Sequence, residues 1–101
     1  MNSMRFLAIV RRKSEVFTED QIAAYLEPEA ERVRELYTQG VFRAVYSRGD
    51  VKGAVVELEC PSADEANQVM RTMPFAQQGM IDVQIIPLLP YRGFAPRGRR
   101  S

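Results

Sequence analysis

The chain has 101 residues, of which 46% are hydrophobic, and a formal net charge of +1. That is enough apolar side chain for one folded domain at the small end of what folds alone, and too much for a disordered chain. It has no histidine and one cysteine, Cys60. The first fact excludes the commonest neutral-pH general base, the commonest metal ligand and any Ser-His or Cys-His nucleophile pair. The second excludes an intrachain disulfide and suits a reducing compartment.

Charge is unevenly placed. Arg92, Arg97, Arg99 and Arg100 sit in the last ten residues, and the part before Tyr91 carries 10 basic against 13 acidic residues. A body of that sign is a poor surface for phosphates, so no nucleic-acid partner is expected outside the tail. The apolar run Phe6 to Val10 is too short for a signal segment or a membrane span, and the expectation is a cytoplasmic protein with no membrane partner. No glycine-rich phosphate loop follows a strand. Neither a cofactor nor a metal is expected.

In chain order, Met4 to Arg12 reads as a strand with Met4, Phe6, Ala8 and Val10 on one face and Leu7 and Ile9 on the other. A strand apolar on both faces is central in its sheet. Lys13 to Phe17 is a loop. Thr18 and Gln21 have capping-box spacing, with Glu19 and Asp20 at the positive helix start. Ile22, Leu26, Ala30, Val33 and Leu36 or Tyr37 then recur at three to four residues, with Pro28 expected to kink or restart the helix and Gly40 to end it.

Val41 to Ser47 and Val51 to Cys60 are the next strands, joined by Arg48-Gly49-Asp50 as a hairpin turn. Ser62 and Glu65 form a second capping box. Ala66, Val69, Met70 and Met73 form the stripe of a shorter helix, which Pro74 stops. Ile81 to Ile86 is the fourth strand. The expected organisation is one α+β domain over residues 1–90 and a basic C-terminal tail over 91–101. Two β-α-β halves with short connections give a four-stranded antiparallel sheet, order 4-1-3-2, with the helices on one face. Val41, Val45, Val55, Leu7 and Ile9 are expected on the other face, where they would form a large apolar patch. The same face of a second subunit covers it most simply, giving a homodimer or a ring of dimers.

From the first helix to the fourth strand, roughly residues 20 to 88, the chain resembles the muconolactone isomerase family of the dimeric α+β barrel superfamily. The carrying features are Leu36-Tyr37-Thr38-Gln39-Gly40, Phe42-Arg43 before Tyr46, Leu58-Glu59-Cys60-Pro61-Ser62, Met73-Pro74-Phe75, and Ile81-Asp82-Val83 with Pro87-Leu88. The resemblance implies a ferredoxin-like β-α-β-β-α-β fold assembled as a dimeric α+β barrel. It also implies a double-bond shift in a small lactone or unsaturated organic acid, driven by proton transfer. Phe42 and Tyr46 fall on family aromatics, Arg43 on a family arginine and Glu29 on a family glutamate. Ala44, Ala30 and Ala54 stand where the family has histidine, lysine and asparagine, which points to a different substrate or to lost catalysis.

The residues give candidates of their own. Glu57 and Glu59 share a face of the third strand, because side chains alternate, and Arg43 lies on the neighbouring strand. Glu57 is the candidate base and Arg43 the cation for an acid's carboxylate. The competing reading is a cross-strand ion pair. Glu29, next to Pro28, is the second candidate acid, competing with a plain exposed helical carboxylate. Tyr46 and Tyr25 are candidate hydrogen-bond donors to a ligand, or half-buried core aromatics. An RNA-recognition module shares the element order, but Lys52-Gly53 is followed by no aromatic that could stack a base. A non-catalytic ligand-binding or oligomeric assembly module is the other reading.

Overall fold

A computed structural model describes residues 3–94; the Arg-rich end of the expected tail, 95–101, lies outside them. The first strand, β1 (Met4–Arg12), sits inside a four-stranded sheet of order β2-β3-β1-β4, with β2 (Phe42–Ser47), β3 (Gly53–Cys60) and β4 (Ile81–Leu88). All its pairings are antiparallel. This is the order expected from the sequence, read from the opposite edge. Phe6, Ala8 and Val10 of β1 pair across to Leu58, Val56 and Ala54 of β3 and to Pro87, Ile85 and Val83 of β4. Alternation puts these residues on one face, where Phe6, Ala8 and Leu58 are fully buried.

Four helical segments cover that face. Thr18 caps α1 (Glu19–Ala23) with both halves of the capping box: the Gln21 N–H donates to Thr18 Oγ1, and the Thr18 N–H donates to Gln21 Oε1. The helix restarts as α2 (Leu26–Thr38) after a break at Ala24 and Tyr25. The break precedes Pro28 rather than falling on it. Pro28 is the third residue of α2, where a missing N–H costs no helical bond. Gly40 closes α2 with φ +80°; its N–H donates to Tyr37 O, and the Val41 N–H donates to Leu36 O. Those two bonds form a Schellman motif, which calls for the left-handed conformation glycine adopts freely.

The helix α3 (Ala63–Arg71) starts at Ser62, which accepts from the Glu65 N–H. The reciprocal half of the expected box is not formed. Pro74 does not simply stop this helix: it opens a further turn, α4 (Pro74–Gln77), as its first residue. Met70, Phe75, Ile22 and Leu36 from these helices, with Met73 between α3 and α4, fill the core against the sheet.

Three boundaries differ from the sequence reading. The hairpin connection runs from Arg48 through Lys52, closed by the Arg48 N–H donating to Gly53 O at 3.0 Å. Val51 and Lys52 belong to the turn: the Val51 N–H donates to Asp50 Oδ1 at 2.8 Å, and Lys52 O accepts from the Arg12 N–H at 2.9 Å just before the first paired residue, Gly53. A Cβ on Gly53 would stand 2.1 Å from Val10 O. β4 continues two residues beyond Ile86, through Pro87 to Leu88, since an edge strand tolerates a proline facing outward. Finally, β2 carries a bulge: Phe42 pairs with Leu58, but Ala44 pairs with Glu57, leaving Arg43 as the extra residue. The bulge resets alternation. Val45 therefore pairs with buried Val56 on the helix-covered side, and Val41 packs against the core. Neither lies on the open face, which corrects the expectation from the sequence that both belong to the apolar patch there.

Candidate functional site on the open sheet face

Among the described residues, no helix lies on the second face of the sheet. Register places Arg5, Leu7, Ile9 and Arg11 of β1 there, beside Glu59, Glu57 and Val55 of β3 and Leu88, Ile86, Gln84 and Asp82 of β4. An apolar band of Leu7, Ile9, Val55 and Ile86 thus lies between two charged ends. At one end, Arg11 donates to Glu15 at 3.0 Å and to Asp82 at 2.7 Å. At the other, Arg5 donates through Nη1 to Glu57 Oε2 and through Nε to Glu59 Oε1 at 3.3 Å. Arg43 stands 3.9 Å from the same Glu59 oxygen. Hydrogen bonding to Glu57 raises the Arg5 pKa further above its ordinary value.

A cleft lies beside the Arg43–Glu59–Arg5–Glu57 chain. Ser3, Met4, Arg5, Glu57, Leu88, Leu89 and Pro90 line a cavity of about 480 Å³ where β1 begins and β4 ends. Its walls are apolar, with Arg5 and Glu57 as the convergent charged groups, the composition expected of a small-ligand site. Arg43 is one carboxylate away, outside the lining. Its bulge turns it to the face that carries Ala44 and Tyr46. Tyr46 pairs with Val55 on that face and is 67% exposed. Arg43, Glu57 and Tyr46 therefore share a surface.

Glu29 and Tyr25 do not share it. Both belong to the helical layer on the far side of the sheet. Glu29 Oε1 accepts from the Phe75 N–H at 2.8 Å, capping α4 from a different helix. Burial raises the Glu29 pKa; the Phe75 hydrogen bond and the Arg12 charge act against that rise. The Arg12 guanidinium lies 5.5 Å from the Phe75 ring centroid. Tyr25 precedes α2 and packs against the core.

Arg5 is the site residue that sequence reasoning missed. Its signal was parity: Arg5 has the same alternation as Leu7 and Ile9, so a charge at that position faces the strand-three carboxylates. Cys60 is buried beneath this end of the sheet, and burial pushes its thiol pKa up, with Glu65 and Glu59 adding to the effect. That is the opposite of what a reactive thiol needs. Among the described residues, no cluster of acidic or cysteine side chains could hold a metal ion, and no helix is long and apolar enough to cross a membrane. No protein-family model matches the chain, and no curated protein matches it.

Proposed function

We propose that this chain is a ferredoxin-like, muconolactone isomerase-like protein that binds a small lactone or unsaturated organic acid at the Arg5–Glu57 end of the open sheet face. The observation that carries the reading is the apolar cleft between Met4, Leu88, Leu89 and Pro90 with a guanidinium and a carboxylate in its wall. Arg5 meets the ligand's carboxylate, and Arg43, the more loosely held guanidinium, replaces it on Glu59. Glu57, released from Arg5 by that exchange, removes a proton from the carbon beside the carbonyl. It returns the same proton at the far end of the shifted double bond, so no other reactant is consumed. Glu29 takes no part, because it caps α4 on the other side of the sheet.

Two open faces stacked about a dyad form the dimeric α+β barrel. With the dyad parallel to the strands, β1 of each copy lies over β3 of the other. Arg5 then comes over Glu59 of the second copy, Leu7 over Glu57 and Ile9 over Val55. Charge is self-complementary there at Arg5 and Glu59, and apolar surface at Ile9 and Val55. The assembly-module reading rests on this surface alone: both cleft charges are already satisfied within the chain.

A thermal-shift screen with lactones, unsaturated dicarboxylic acids and phenols separates the two. A ligand raises the melting temperature by mass action. Arg5→Ala is expected to erase the shift, Arg43→Ala to weaken it, and Glu57→Gln to keep binding while abolishing turnover. If the whole panel leaves a dimeric protein unshifted, the assembly module is the correct reading.

A further inference from the structure

Beyond Leu88 the chain leaves the sheet as an arm whose large side chains stand mostly in solvent: Leu89 is 82%, Tyr91 69% and Phe94 84% exposed. The arm is nonetheless shaped. Arg92–Phe94 form a 3₁₀ turn, closed by the Phe94 N–H donating to Tyr91 O, and the Tyr91 and Phe94 rings meet edge to face with centroids 4.9 Å apart. An ordered pair of exposed aromatic rings is a pre-organised contact surface.

A second unfilled apolar surface lies at the opposite edge of the sheet. Val33, Arg34, Tyr37, Thr38 and Val45 line a groove of about 420 Å³ between α2 and β2. Tyr37 is 60% exposed there, and Val45 37%. Val45 reaches it only because the bulge at Arg43 turns that residue to the helix side.

We infer that the arm of one copy docks in the α2–β2 groove of a second copy, clasping the dimer from outside the barrel. This rests on the dimer described above. With a dyad parallel to the strands, the β4 edge of each copy comes over the β2 edge of the other. The dyad also keeps the level along the strands. The arm leaves β4 at the end where Arg5 pairs with Leu88. That is the end where α2 finishes at Thr38 and β2 starts at Phe42. The arm therefore arrives beside Tyr37 and Thr38. With Arg92–Phe94 kept in the 3₁₀ turn, its six residues from Leu89 to Phe94 span roughly 16 Å, enough to cross the ~10 Å between stacked sheets and come round the edge strand. Each buried aromatic contributes about 150–250 Å². Two arms, each with Leu89, Tyr91 and Phe94, add on the order of 1,000 Å², which lifts the sheet contact into the range of stable dimers.

The experiment uses the full chain. Sedimentation velocity compares the wild type with Tyr91→Ser/Phe94→Ser and with Val45→Asp, a change at the receiving groove. Both variants are expected to weaken the dimer at least about tenfold, because buried aromatic anchors dominate such interfaces. Circular dichroism of each variant at a concentration where it is monomeric checks that the fold is retained. In parallel, Phe94→Cys and Tyr37→Cys proteins are mixed and oxidised. A disulfide joining one chain of each kind is the expected product. A dimeric wild type whose association both variants leave unchanged, with no mixed disulfide, overturns the arm contact and leaves the dimer standing. A wild type that stays monomeric at high micromolar concentration overturns the dimer and the arm contact together.

Discussion

The two faces of this sheet are built from the same three central registers, yet they solve different problems. On the covered face, the β1 residues Phe6, Ala8 and Val10 meet Leu58, Val56 and Ala54, with no buried polar or charged residue in the core among the described residues. One position along each strand, Arg5, Leu7, Ile9 and Arg11 meet Glu59, Glu57, Val55 and Gly53. The first face excludes water and supplies stability. The second keeps charges at both ends of an apolar band, where exposed ion pairs add little to the stability of one chain; in the proposed dimer they would set its orientation. The difference shows where substitutions should act on the fold and where they should act on binding.

The largest effect is expected from Phe6→Ala. Phe6 is fully buried in the covered face, and truncation costs about 3–5 kcal/mol through lost transfer energy and a cavity. Leu7→Ala, one residue away on the open face, should cost the isolated chain only about 1 kcal/mol and show its main effect as weaker association. Urea unfolding at low concentration and sedimentation read the two separately. Equal losses of folding stability would mean that the open face is a second core. Next comes Gly53→Ala. The added Cβ would sit 2.1 Å from Val10 O, so β3 must move away from β1. A loss on the order of 2–3 kcal/mol in the same unfolding experiment is expected, the strain of a forced backbone.

The covered face was legible in the sequence, because alternation in β1 and helical spacing from Ile22 to Leu36 are one-body signals. Thr18–Gln21 and Gly40 are equally local, and each does what its residue type predicts. Three features required a second segment of chain. The bulge at Arg43 sends Val45 to the helix side, and nothing within β2 announces the extra residue. β3 starts at Gly53, where the chain passes Val10 too closely for a side chain, a contact between strands more than forty residues apart. Glu29 looked like one of several helical carboxylates. Its role depends on α4, whose Phe75 N–H it accepts. Of the candidate site, Glu57, Arg43 and Tyr46 fall on one surface, whereas Glu29 and Tyr25 fall behind the sheet. Parity along a strand can be read from sequence; which helix turns its polar end to which neighbour cannot.

Glu29 tests the boundary between the two regions. Glu29→Ala removes the cap on Phe75 and should cost about 1 kcal/mol. Glu29→Gln keeps an acceptor oxygen and removes a charge that burial disfavours. The acid's folded pKa is raised above its ordinary 4.5, so the folded state holds the proton more tightly than the unfolded one. Stability from this group is full below 4.5 and is lost as pH rises through the folded value. The wild type should therefore lose stability relative to Glu29→Gln over that rise. A difference that does not change with pH would show that Glu29 is solvated and belongs to the surface class.

The smallest expected effect is of opposite sign and comes from the open face. Arg11 holds Glu15 and Asp82 together, and its hydrogen bond lowers the Glu15 pKa from 4.5 to about 2 and lowers that of Asp82 as well. Here the unfolded state binds the proton more tightly. Stability from Glu15 is present above 4.5 and is lost as pH falls toward about 2. Both carboxylates are exposed, so solvent and salt screen the pairs and leave only a small contribution. Arg11→Ala should accordingly change stability little at neutral pH, less still in high salt, and flatten the acid limb of the stability profile between those two values. Unfolding midpoints of the wild type and Arg11→Ala, followed across that range at low and high salt, measure it. An acid limb as steep in the variant as in the wild type would remove the Arg11 cluster from the acid response.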